Sequence, residues 1–88
     1  MTVEDCTEPF KLLRLRVSAE ADPSVVARLL GPFQNLNIIP RRLVAEFSTT
    51  GLLHVLVDVS GVSEARLSLI TAKIAESVPV INAYWHFV

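Results

Sequence analysis

The sequence predicts an α+β fold, a four-stranded antiparallel sheet with two helices on one of its faces. Two observations support it. Strand-like and helix-like apolar patterns follow one another in the order strand, helix, strand, strand, helix, strand, and a short turn at 48–51 joins the middle strands as a hairpin. Two strand–helix–strand crossovers joined by a hairpin form the ferredoxin-like βαββαβ arrangement. Right-handed crossovers place both helices on one face, with the strand order 4-1-3-2.

The composition favours one small domain that buries part of its surface against another protein. The chain has 88 residues, of which 51% are apolar and 19% charged. A domain this small has little interior, so we expect the apolar excess to pack against a second copy or a larger partner. No apolar run approaches the roughly 18–20 residues of a membrane span. The acidic start, MTVEDCTEPF, is unlike a secretory signal.

Charge and cysteine content exclude further classes. Eight basic and nine acidic residues give a net charge of −1, which offers no basic face to nucleic acid. Cys6 is the single cysteine, so no internal disulfide and no multi-cysteine metal site is expected, which fits a cytoplasmic location. Residues 1–10 lack apolar periodicity and are predicted to be a flexible tail before a domain at 11–88. No metal or cofactor is expected.

The first strand and the first helix have clear signals. Apolar residues alternate with two arginines after Lys11, which predicts a half-buried strand, with Leu13, Leu15 and Val17 on one side and Arg14 and Arg16 on the other. Asp22 is the predicted N-cap and Pro23 the first helical residue. The helix is expected to bury a stripe of residues and to loosen at Pro32. The stripe consists of Val26, Leu29, Leu30 and Phe33.

The second and third strands form the predicted hairpin. Asn37 suits a left-handed turn, and a strand from about Ile38 to Ser48 should lie at a sheet edge because Pro40 cannot donate to a ladder. Its apolar face carries Leu43, Ala45 and Phe47. The next strand, LLHVLVDV, is apolar except at His54 and Asp58, as expected at the centre of a sheet.

The second helix and last strand complete the pattern. Ser60 or Ser63 is the predicted cap, and Pro79 is expected to end the helix. The helix buries Leu67, Ile70, Ile74 and Val78. The closing strand carries Ile81, Ala83, Trp85 and Phe87 on one side.

This sequence lacks the residues that several known functions of this fold require. The first and third strands have no aromatic platform for RNA bases, and the loop SAEADPS has neither the paired cysteines of a copper chaperone nor the phosphate loop of an acylphosphatase. His54 and His86 lack an acid, thiol or serine pattern that would make either a catalytic base. We therefore predict no catalytic residues.

The stretch RVSAEADPSVVARLLGPFQNLNIIPRRLVA resembles the first half of an ACT domain, whose loop typically reads D-x-P-G-V-L. Within that family it is most similar to the small regulatory subunits of acetolactate synthase, where the helix has an Arg-x-x-Gly-x-Phe ending. That ending reads Arg28-Leu-Leu-Gly31-Pro-Phe33 here. The resemblance covers about residues 11–87 and rests mainly on the order of elements.

The resemblance implies a regulatory homodimer. Two copies would lie side by side through strand 2 and helix 1, regulate a large catalytic subunit, and hold a branched-chain amino acid at their seam. The ligand carboxylate would meet the amides of Ser24 and Val25 beside the Asp22 cap. The ammonium group and side chain would meet Asn37, Ile38 and Ile39 of the other copy.

Two departures from the family pattern leave alternatives open. The family's glycine after the cap is Ser24 here, and the glycine before strand 2 is Asn37. A Cβ at the first position crowds a bound amino acid, whereas asparagine visits the same backbone region as glycine. A ligand-free interaction subunit that activates or stabilises a larger enzyme is therefore the second hypothesis. The third is an enzyme that uses His54 or Tyr84 on the open sheet face.

Overall fold

A computed structural model describes residues 11–88 and shows the predicted topology. The strands are β1 (Leu12–Glu20), β2 (Arg42–Phe47), β3 (Leu52–Ser60) and β4 (Val80–Phe87), and the helices are α1 (Val25–Asn35) and α2 (Glu64–Ala75). All paired strands are antiparallel, and the sheet order β2-β3-β1-β4 is the one the sequence predicts. The predicted tail at 1–10, with Cys6, lies outside the described residues.

The core lies between one face of the sheet and the two helices. The central strands β1 and β3 pair along their whole lengths, and alternate residues of β1 are buried. The predicted apolar face of β1 is confirmed, because Leu13, Leu15 and Val17 are all fully buried. The rest of the core is Ala19, Val25, Leu29, Phe33, Val55, Val57, Val59, Leu67, Ile70 and Ile74. Among the described residues, neither helix is long and apolar enough to cross a bilayer.

Helix α1 begins at Val25, so the prediction of Asp22 as N-cap and Pro23 as first helical residue is wrong by two positions. The Asp22 carboxylate binds Ser24 and closes a turn before the helix. The buried stripe shifts accordingly, since Val25 replaces Val26 beside the correctly predicted Leu29 and Phe33. The helix continues through Pro32 to its end at Asn35.

The link from α1 to β2 is longer than predicted. Asn37 adopts the expected left-handed conformation, with φ at 57°. Strand β2 begins at Arg42 rather than near Ile38. The Ile38 amide instead donates to the α1 carbonyl of Phe33 at 2.8 Å, and Pro40 has no amide proton to give to a ladder. The loop therefore reaches the sheet only at Arg41, whose amide donates to the Asp58 carbonyl.

The second half follows the sequence pattern with two differences. Ser63 caps α2 by accepting a hydrogen bond from the Arg66 amide at 3.1 Å. The helix ends at Ala75, so Val78 lies beyond it and is exposed instead of joining the buried stripe. In β4, the register shifts opposite Ser18 and Ala19, and Ile81 falls at this irregularity, where it is exposed.

Candidate functional site

The start of α1 is the first half of the predicted amino-acid site. Asp22 Oδ1 accepts hydrogen bonds from the Ser24 amide at 2.9 Å and from the Ser24 hydroxyl at 2.8 Å. These bonds lower the pKa of the Asp22 carboxyl from its ordinary value. The Val25 amide donates to the Asp22 backbone carbonyl at 3.1 Å. Both amides expected to meet a ligand carboxylate therefore have acceptors within the chain.

The end of α1 is the second half of the predicted site. The Asn37 amide donates to the Gln34 carbonyl at 3.0 Å. Ile38 is half-buried against the core, whereas Ile39 is 86% exposed. The eleven residues of α1 separate this end from Ser24 by about 16 Å at 1.5 Å per residue. The structure therefore does not bring the two halves together within one chain.

Exposed apolar side chains occur on β2 and in the segment that leads from α1 into it. Leu43, Ala45 and Phe47 share the sheet face on which the helices lie, because they pair with Val57, Val55 and Leu53. All three side chains are nevertheless exposed, and Phe47 is 68% exposed. We define the apolar seam as Leu36, Ile39, Leu43 and Phe47, all of which are exposed. Leu36 was not predicted, although an apolar residue directly before the Asn37 turn is a signal that could have found it.

The backbone of β2 is also ready to pair with another strand. The Ser48 amide donates to the Leu52 carbonyl at 2.8 Å. Because bonded and non-bonded positions alternate in an antiparallel pair, the amides of Glu46 and Val44 also point at β3. The amides of Leu43, Ala45 and Phe47 then point away from the sheet. The apolar seam thus carries outward-facing backbone donors along its β2 portion.

The opposite face of the sheet is open and polar. Asp58, only 3% exposed, receives two hydrogen bonds from Arg14, Nε at 2.7 Å and Nη2 at 3.0 Å. These bonds hold the pKa of the Asp58 carboxyl below its ordinary value, against the opposing effect of burial. Asp58 thus holds the Arg14 guanidinium on this face, and the pair joins β1 to β3 at the centre of the sheet.

Both histidines lie on this open face. His86 Nε2 accepts from Arg16 Nε at 3.0 Å. Ser18 Oγ lies 3.2 Å from His54 Nδ1, a contact that the sequence analysis did not predict. Strand register creates this pair between residues distant in sequence. No Asp or Glu within residues 11–88 forms an ion pair with either histidine, and that range holds no cluster suited to a metal ion.

The comparisons with known proteins agree with this architecture. The family model described as "ACT-like domain" matches residues 8–88. The C-terminal domain of the MgtC protein from Mycobacterium tuberculosis is similar in structure, with a TM-score of 0.76 at 15% identity, over 92% of this chain and 90% of that one. A search of curated protein sequences found no match.

Two further solved structures share the fold. The ACT domain from GTP pyrophosphokinase of Chlorobium tepidum superposes with a TM-score of 0.71 at 13% identity, over 85% of this chain and 96% of that one. A homoserine dehydrogenase from Thiobacillus denitrificans gives a TM-score of 0.70 at 18% identity. The match spans 91% of this chain but only 18% of the dehydrogenase. At these identities the superpositions show a shared fold.

Proposed function

The chain belongs to the ACT-like domain family, whose ACT members are generally regulatory and amino-acid-sensing, and from that premise we propose a non-catalytic regulatory domain that works as a homodimer. The domain occupies residues 11–88. Two copies pair through β2 and α1, hold an amino acid at the interface between them, and control a partner enzyme.

The apolar seam is the observation that carries this proposal. The exposed side chains of Leu43 and Phe47 and the outward amides of β2 lie on one edge of the sheet, and an uncovered edge of this kind promotes association unless something covers it. A second β2 added antiparallel would make one eight-stranded sheet across the dimer. Such an interface would fall in the class that buries about 1,200–2,000 Å² in total.

A two-fold axis at the seam also explains how one ligand site could form from two separated halves. The axis would set the two α1 helices antiparallel, so that the Ser24 end of one copy lies near the Asn37 end of the other. The free partial charge at a helix start favours a carboxylate there. In this arrangement the ligand bridges the copies and strengthens the dimer when it binds.

In its narrower form, the proposal names a branched-chain amino acid as the ligand and a catalytic subunit of the acetolactate synthase type as the partner. Its support is the Arg28–Phe33 ending of α1 and the loop that precedes the helix. The single cysteine of the chain is in keeping with a cytoplasmic setting for that partnership.

A ligand-free interaction subunit is the second candidate, and one observation favours it. Asp22 already accepts the Ser24 amide and hydroxyl, so a ligand carboxylate would compete with a side chain of the same charge. In this version the apolar seam serves only to join copies or to bind and activate a larger enzyme.

Sedimentation velocity at micromolar concentration tests the dimer. We expect the mass of two chains for the wild type and of one chain for Phe47→Glu, since a charge at the apolar seam would be buried without a partner. Leu69→Glu is the matched control, because Leu69 is equally exposed but lies on α2. A wild-type mass of one chain at every concentration would reject the dimer.

A thermal-shift screen of the twenty amino acids separates the two candidates. A sensing domain should gain about 2.7 kcal/mol from a ligand at 100 times its dissociation constant, and Ser24→Gly should tighten that binding by removing the Cβ. A ligand-free subunit should show no shift with any amino acid. Equal or weaker binding by Ser24→Gly would count against a ligand in this loop.

A further inference from the structure

The open face of the sheet contains a groove on the side opposite the helices and the apolar seam. Its volume is about 180 Å³, and its lining includes Arg16, Val44, Glu46, His54, Leu56 and Tyr84. Two rows of cross-strand neighbours build it. One row runs from Val44 through Leu56 and Arg16 to Tyr84, and the other places Glu46 beside His54.

Arg16 places a positive charge with a fixed orientation at one end of the groove. Its Nε donates to His86 Nε2 at 3.0 Å, and His86 Nδ1 lies 2.8 Å from the Phe87 carbonyl. Since the carbonyl can only accept, Nδ1 carries the imidazole proton and Nε2 is the acceptor for Arg16. The guanidinium is thus held at Nε. Its two Nη groups have no hydrogen-bond partner among residues 11–88, which leaves them to bind an anion.

Glu46 supplies the negative end. It lies on β2, whereas Arg16 lies on β1, and β3 runs between them. Two strand spacings of about 4.8 Å put the two backbones roughly 10 Å apart. No cation within the described residues forms an ion pair with Glu46. Between the charged ends, Val44 and Leu56 are half-buried and apolar, and the Tyr84 ring stands beside Arg16.

We propose that this groove binds a linear ω-amino carboxylate, a small molecule with a carboxylate at one end, an ammonium group at the other and an apolar chain between them. The carboxylate binds the Arg16 Nη groups, for which the guanidinium fork is suited. The ammonium group binds Glu46, and the chain lies over Val44 and Leu56. A simple α-amino acid carries its two charges too close together to reach both ends.

This site goes beyond the proposed regulation at the apolar seam and does not depend on it. The groove residues project from the sheet face opposite Leu43 and Phe47, so the groove and the apolar seam lie on different faces of the sheet. An experiment can therefore reject one of the two proposals without rejecting the other.

Titration of the full chain followed by amide NMR tests the proposal with three related probes. 6-Aminohexanoate has both charged ends, hexanoate has only the carboxylate, and hexylamine has only the ammonium group. We expect 6-aminohexanoate to bind about 1.4- to 5-fold more tightly than hexanoate, the range for one exposed ion pair. Shifts should centre on Arg16, Glu46 and Leu56. Equal affinities for 6-aminohexanoate and hexanoate, shifts centred on the apolar seam, or no binding would overturn the proposal.

Variants at each end assign the two contacts. Arg16→Gln should weaken 6-aminohexanoate binding by about tenfold or more, as expected for loss of charge-assisted hydrogen bonds, and Arg16→Lys should recover only part of it. Glu46→Gln should abolish the preference over hexanoate. The matched controls are Arg66→Gln and Glu76→Gln, which are exposed and lie at opposite ends of α2. An affinity that Arg16→Gln leaves unchanged would refute the site.

Discussion

The two edge strands of the sheet have similar sequence patterns and different surroundings. On β4, the residues that face the helices include Ala83 and Trp85, which are half-buried and pack against the core. The Trp85 indole also donates to the α2 hydroxyl of Ser68 at 3.0 Å. On β2, the corresponding residues Leu43 and Phe47 are exposed. Helix α2 packs on β4, whereas Leu43, Ala45 and Phe47 of β2 remain exposed.

The difference shows that apolar alternation in a sequence predicts a strand face that needs to be covered. It does not indicate which helix or which other chain covers that face. On β4 the cover is a helix of the same chain. On β2 the same kind of pattern remains exposed, and a second copy is the cover that we propose. Substitutions on β4 should therefore change the stability of each chain, and substitutions on β2 should change association.

The largest expected difference is between the two aromatic residues. Trp85→Ala should lower the free energy of unfolding by about 2–3 kcal/mol, somewhat less than a fully buried tryptophan costs. Phe47→Ala should change the unfolding of the single chain by less than about 0.5 kcal/mol and weaken the dimer instead. Urea unfolding at several protein concentrations distinguishes them. The Trp85→Ala loss should be the same at every concentration, and the reverse assignment would contradict the comparison.

A matched pair of proline substitutions tests the edges themselves. The Ala45 amide points away from the sheet, and so does that of Ala83, because the Val88 amide donates to Leu12 and bonded positions alternate. Ala45→Pro should weaken the dimer by about tenfold, through lost edge bonds, as measured by sedimentation equilibrium. Ala83→Pro should leave the dimer intact. If only Ala83→Pro dissociates the protein, the dimer uses β4.

The helix starts give a smaller contrast. Ser63→Ala removes the side-chain cap of α2, the helix that covers β4, and should cost about 1 kcal/mol in unfolding free energy. Ser24 makes no side-chain cap of α1, since its hydroxyl binds Asp22 instead. Ser24→Ala should therefore cost less than Ser63→Ala. Chemical denaturation of both variants measures the difference, and equal costs would show that the two starts are equivalent.

The smallest expected effect concerns Asp58 at the centre of the sheet and is observed only at acidic pH. Because the pKa of Asp58 is lowered on folding, its contribution to stability is present above the ordinary aspartate pKa of about 3.9 and is lost as the pH falls through the lowered value. Unfolding at pH 7 and pH 3 should show a smaller loss for Asp58→Asn than for the wild type. Arg14→Gln, which removes the donor, should reduce the loss in the same direction.

Much of the fold follows from the sequence because its signals are local. Alternation after Lys11, the Asn37 turn and the Ser63 cap each predict what the structure shows. The predicted starts of α1 and β2 were wrong because two local signals competed at each of them. Asp22 and Pro23 are residue types that favour a helix start. The Asp22 carboxylate instead binds Ser24, and the helix begins two residues later than predicted. The late start of β2 has a similar cause, since the Ile38 amide is taken by α1.

The sequence by itself determined the order of elements, the central place of β3 and the edge position of β2, because periodicity and proline act through the backbone of each segment. Only the tertiary structure decided which apolar faces are covered. It also placed Arg16 beside His86 and Ser18 beside His54, and set the two ends of α1 apart. Those relations depend on strand register and helix placement, which join residues far apart in the chain and leave no pattern in any one segment.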